Sequence, residues 1–220
     1  QGDWSSDVCS SDLKKGWQII LTGRNPEKGK AALTQLQQDE VNVHFVPLDV
    51  TNEHEIKTAA QSVSKITDSI EILINNAGIL TDYNTPALKT SPQDISQTFN
   101  TNTLGVLMVC QQFFSLLNKT QGRILNISSG MGQLSDMGSG AVAYRLSKTA
   151  LNALTRILAN ELTHTGIRIN TICPGWVKTD MGGPGASLEI PDSVKHIVQL
   201  LLSETFPTGK FLRDGKEISW

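Results

Sequence analysis

After residue 14 the chain alternates between short, nearly continuous apolar runs and longer stretches in which apolar residues recur every three or four positions. The short runs read as buried strands and the longer stretches as amphipathic helices. WQIILTG (17–23) is the first strand, and Pro26, suited to the first turn of a helix, opens one that reaches about Gln38. NVHFVPLDV (42–50) is the next strand, followed by a helix from Asn52, its N-cap, to about Thr67. IEILINNAG (70–78) is a strand closed by a polar turn that ends on glycine. A long helix spans about Pro92 to Asn118, broken once near Asn100 or Asn102. The strand GRILNISS (122–129), a helix from Ala141 to about Thr163 and the strand GIRINTICPG (166–175) follow. A weaker helix near 191–203 and an edge strand in GKFLRDGKEISW complete the pattern. Strand and helix alternating at this spacing predict an α/β fold, a single-domain doubly wound parallel sheet covered on both faces.

Composition narrows the function classes. A net charge of −2, with 39% hydrophobic and 18% charged residues, describes an ordinary globular chain. It offers no basic surface for nucleic acid or an anionic membrane. No run approaches the roughly 20 apolar residues that span a bilayer. Cys9, Cys110 and Cys173 are too far apart to read as a disulfide framework, so a reducing compartment, the cytoplasm, is expected. His44, His54, His164 and His196 are scattered and suggest no metal site.

The candidate chemistry begins with Tyr144 and Lys148 in AVAYRLSKTALNALTRILANEL. A spacing of four places both side chains on one helical face, about 5–6 Å apart at Cβ. An ammonium beside a phenol favours the phenolate and lowers a pKa that is otherwise near 10. Tyr-x-x-x-Lys arises often by chance, so the pair alone decides little. Its company decides more. Asn75-Asn76-Ala77-Gly78 closes one strand, Asn102 lies in TNTLG on the following helix, and Ser128-Ser129 close the next strand. Pro174-Gly175 and Thr179 follow in CPGWVKTDM. In an open parallel sheet, ligands bind outside the carboxyl ends of the strands, where three of these motifs fall.

In this order the NNAG, serine, Y-x-x-x-K and PG motifs resemble the short-chain dehydrogenase/reductase family. GMGQLSDMGSGAVAYRLSKTALN and PTGKFLRDGKEISW look closest to its carbonyl-reductase-like members. The resemblance implies reduction of a carbonyl substrate, or oxidation of the matching alcohol, by hydride transfer with NADP(H). Tyr144 would be the general acid, and Lys148 would hold the nicotinamide ribose and depress the Tyr144 pKa. Ser129, preferred to Ser128, would hydrogen-bond the substrate oxygen, and Asn102 would anchor a water of the proton relay. On the cofactor side, Arg24 stands in LTGRN with no acid adjacent, which suits a ribose 2′-phosphate. Asp49 and Val50 would flank the adenine and Asn76, Ala77 and Gly78 the adenosine ribose. Tyr144, Lys148, Pro174, Gly175, Val177 and Thr179 would complete the nicotinamide end. The implied partner is a small molecule, with the chain a homodimer or a monomer. A non-catalytic scaffold or binding protein on the same fold is the alternative.

The family pattern opens with a strand, a G-x-x-x-G-x-G turn and a helix whose N-terminus holds the pyrophosphate. None of the three is found here; QGDWSSDVCSSDL stands in their place. WSSDVCSSDL reads back into codons that match a common sequencing adapter. Residues 1–13 are therefore expected to be a non-native leader, and 14–220 a domain that lacks its first strand and glycine turn, with impaired cofactor binding and activity.

Overall fold

The computed structural model describes residues 16–38 and 41–220; the expected leader at 1–13 lies outside them. The elements are β1 (Gln18–Gly23), α1 (Pro26–Gln38), β2 (Asn42–Pro47), α2 (Glu53–Val63), β3 (Ile72–Asn75) and α3 (Pro92–Phe99). A π-helical turn (Asn100–Leu104) leads into α4 (Gly105–Phe113). Then come β4 (Arg123–Ile127), α5 (Val142–Glu161), β5 (Arg168–Ile172), α6 (Ile190–Leu202), β6 (Phe211–Arg213) and β7 (Lys216–Glu217).

Local chemistry sets most of these boundaries. The Asn25 side chain accepts from the backbone of Glu27 and Lys28 at 2.9 and 3.1 Å, and Pro26 starts α1. Asn52 caps α2 through Glu55 N and His54 N. The Glu55 carboxylate reaches back to Asn52 Nδ2 at 3.1 Å and to Asp49 N at 3.0 Å, so the cap also fixes the end of the β2 loop. Ser91 and Pro92 do the same for α3. α2 stops at Val63 rather than Thr67, and β2 to β5 stop short of the expected runs, at Pro47, Asn75, Ile127 and Ile172, where the chain passes on to residues that line the cleft. The expected break in the long helix is the π turn, a form that concentrates at functional sites. The closing edge strand is a hairpin of β6 and β7, turned by Asp214 and Gly215 at positive φ.

All ladders but the last are parallel: β1 with β2, then β3-β4-β5-β6, with β7 antiparallel at the edge. β4 and β5, buried along nearly their whole length, read as the continuous apolar runs of a sheet covered on both faces. Among the described residues β1 pairs only with β2 and β3 only with β4, so the sheet is in two sections. One apolar cluster still bridges them: Val46, Leu48 and Ile20 pack with Leu73, Val109 and Phe113. A second, of Leu125, Ile172, Ile197, Leu201 and Phe206, ties α6 to the other part of the sheet. No helix of the described residues is long and apolar enough to cross a membrane.

Candidate active site

A cleft of about 2630 Å³ runs along the carboxyl ends of β1 to β5. Arg24, Asp49 and Val50 line one end, Asn76, Ala77 and Gly78 its middle, and Ser129, Tyr144, Lys148, Pro174, Gly175, Val177 and Thr179 the other. It also opens between the facing edges of β1 and β3.

Tyr144 and Lys148 sit one turn apart at the start of α5, both buried. Lys148 Nζ lies 5.7 Å from the Tyr144 ring centroid and donates to Ile127 O at 2.8 Å. Burial pushes the Tyr144 phenol up to about 12, opposed by the Ser129 hydroxyl beside it and reinforced by Cys173. Burial likewise drives Lys148 down to about 8, opposed by Cys173. The expected lowering of the phenol by Lys148 is therefore not what this structure gives. Desolvation wins, because the phenolate would be as starved of water as the ammonium.

The two serines have different partners. Ser128 Oγ donates to Asn152 Oδ1 at 2.7 Å and is buried in that contact, whereas Ser129 flanks the Tyr144 phenol. Asn102 is fully buried, outside the cleft wall. Its Oδ1 accepts from Ile79 N at 2.8 Å, and its Nδ2 donates to Ile79 O at 2.9 Å and Ser147 Oγ at 3.0 Å. Both ends of its amide are thus committed to the loop after Gly78 and to α5. A Cβ on Gly78 would lie 3.4 Å from both Asn102 Oδ1 and Lys148 Nζ, so this loop lies directly over the lysine. Gly175 has φ +84, and a Cβ there would also meet Leu188 at 2.5 Å. That explains a glycine after Pro174.

At the far end Asp49 is held by Thr51 N and Oγ1 at 2.8 and 2.7 Å. Its pKa is lowered: burial acts to raise it, and the Thr51 bonds and Arg24 outweigh that. Arg24 has no acid adjacent in sequence, yet the fold brings Asp49 near it.

Sequence reasoning missed Asp82. Its carboxylate, 1% exposed, accepts from Ala143 N at 2.7 Å and Tyr144 N at 3.4 Å. It caps α5 in place of Ala141, which has φ 47 and no capping side chain. Sixty-one residues separate Asp82 from Ala143, so no local pattern could reveal the contact. Cys173 Sγ accepts from Gly130 N at 3.1 Å and from Arg213 Nη2 at 3.2 Å.

This arrangement, a buried phenol and ammonium with a serine at the ends of parallel strands, agrees with a family comparison. The family model described as short chain dehydrogenase matches residues 5–187. The chain belongs to the short-chain dehydrogenase family. Among solved structures, the NADPH-bound carbonyl reductase from chicken fatty liver is 35% identical, with 92% of this chain and 88% of that one covered and a TM-score of 0.84. Carbonyl reductase Sniffer of D. melanogaster is 30% identical over 97% of this chain and 94% of its own, with a TM-score of 0.87. Among curated relatives, carbonyl reductase [NADPH] 1 of Sus scrofa is 28% identical over 92% of this chain and 85% of its own.

Proposed function

We propose that this chain reduces a small carbonyl substrate, or oxidises the matching alcohol, with NADP(H) as hydride carrier. The observation that carries the reading is the convergence of Ser129, Tyr144 and Lys148 on one end of a cleft whose other end holds Arg24. The residues fit a dinucleotide. Gly78 and Gly175 line the cleft without side chains, and Arg24 offers a guanidinium for a 2′-phosphate. When bound, NADPH supplies the hydride.

The chain's own residues handle the proton. Tyr144, held neutral by burial, keeps its proton at neutral pH and donates it from the phenol oxygen to the carbonyl oxygen. Ser129 donates a hydrogen bond to that same oxygen and stabilises the charge that develops there. Lys148, a cation below about 8, stabilises the phenolate left behind and offers N–H donors to the ribose hydroxyls. Asn102 acts here as a positioning residue that fixes the Gly78 loop against α5 rather than as a water ligand through its side chain.

Fluorescence titration with NADPH and NADH tests the cofactor reading. Tighter binding of NADPH, lost in Arg24→Ala, is expected. Equal binding of the two cofactors would remove the assigned role of Arg24. The same titration on a version carrying a glycine-rich turn upstream tests the impaired-binding reading, with tighter NADPH binding expected there.

A further inference from the structure

Arg213, the last residue of β6, lines the reaction end of the cleft. Its Nη2 donates to Cys173 Sγ at 3.2 Å, and a Cβ on Gly130 would lie 2.2 Å from that same nitrogen. The guanidinium therefore rests on the backbone one residue beyond Ser129. Its Nε is the one buried side-chain polar atom without a hydrogen-bond partner among the described residues. A thiol is a weak acceptor, so a five-donor guanidinium is left far short of its bonding capacity.

Nearby acids do not fill the gap. Asp214, next in sequence, pairs with His196 at 3.4 Å, and no carboxylate among the described residues lies within ion-pair distance of Arg213. Asp136 and Asp180 line the cleft without reaching it. Arg145, the other arginine at this end, is engaged with Gly140 O at 3.1 Å and Met131 O at 3.4 Å. A guanidinium in the wall of a ligand cleft, with a thiol as its one protein acceptor among the described residues, keeps donors free for an acceptor on the ligand. The fork of a guanidinium matches a carboxylate in two parallel charge-assisted bonds.

We propose that Arg213 forms an anion subsite beside Ser129 and that the preferred substrates are carbonyl compounds bearing a carboxylate, that is, oxo acids. This rests on the reductase reading above. The carboxylate docks on Arg213 while the carbonyl oxygen lies between Ser129 and Tyr144. The substrate thereby gains its orientation from a group remote from the reacting carbon.

The test compares two acid–ester pairs as substrates with NADPH: pyruvate with methyl pyruvate, and 4-carboxybenzaldehyde with its methyl ester. For at least one pair the acid is expected to have the higher kcat/KM. Arg213→Gln should lower the acid-to-ester ratio about 10- to 100-fold, with Arg213→Lys in between. Calorimetric titration of benzoate gives a readout free of turnover, and Arg213→Gln should weaken that binding about tenfold or more. Esters reduced as well as acids, with a ratio unmoved by Arg213→Gln, would overturn the subsite and leave the reductase reading standing. A variant that loses NADPH affinity while keeping the ratio would place a cofactor phosphate on Arg213 and overturn it as well. No reduction of any of the four compounds would overturn the reductase reading, and the subsite with it.

Discussion

Replacing Lys148 with methionine separates the stability of the protein from its chemistry. Lys148 is 3% exposed, and burial holds its ammonium at about 8 against an ordinary 10.5. A lysine whose folded pKa lies below its unfolded one opposes folding wherever the unfolded chain binds the extra proton. The penalty is complete below about pH 8 and fades as pH rises toward 10.5. The gap from 10.5 to about 8 corresponds to about 3 kcal/mol at neutral pH, of which about 2–3 kcal/mol is relieved by pH 10. Methionine has a similar shape and no charge. It also leaves Ile127 O without the Lys148 donor, a loss of about 1–3 kcal/mol that does not vary with pH and so drops out of the comparison. Urea unfolding of the original chain and Lys148→Met from pH 7 to pH 10 should show the original gaining about 2–3 kcal/mol relative to the variant. Turnover of the variant should be lost throughout. Stability curves that stay parallel over this range would show that Lys148 is not desolvated, and the reasoning for its pKa would fail.

Other perturbations probe the supports around it. Asp82→Ala removes the acceptor of Ala143 N and Tyr144 N and should cost about 1–3 kcal/mol in urea unfolding, while Asp82→Asn, which keeps one carbonyl oxygen, recovers much of it. Gly132→Ala places a methyl 2.7 Å from the Lys148 backbone and Cβ and 2.9 Å from Thr149 N. It should cost about 1–3 kcal/mol and lower kcat, since α5 must move away from the cleft. Ser129→Ala should lower kcat about 100- to 1000-fold with KM little changed, and Ser128→Ala should act mainly on stability through Asn152.

The periodic part of the fold was legible because helices and strands are written in local chemistry. Pro26, Asn52 and Pro92 marked helix starts that the structure keeps, and the Asn100–Asn102 break fell where the π turn lies. The carboxyl ends of β2 to β5 were overread because the residues that follow, such as Asp49, Asn76, Ser129 and Pro174, leave the ladder to line the cleft, and apolarity alone does not register that departure. The residues of the candidate site were legible as a set, since most sit in short motifs at strand ends. What joins them was not. Asp82 meets α5 across sixty-one positions, Arg213 reaches Cys173 across forty, and Asp49 comes near Arg24 only when β2 lies beside β1. The phenol's pKa was misjudged for a related reason. A spacing of four reveals that a cation is near and says nothing of how much water both groups lose. Those quantities belong to packing and have no local signature.

The most direct test of the reductase reading is NADPH oxidation with a carbonyl substrate, followed by absorbance for the original chain and for Tyr144→Phe. Phenylalanine keeps the ring in its buried seat and removes only the proton that is to be transferred. Substrate-dependent oxidation by the original chain, reduced at least about 100-fold in Tyr144→Phe, is the expected result. Oxidation that proceeds equally in both would contradict the assignment of Tyr144 as the proton donor and, with it, the chemistry proposed for this cleft.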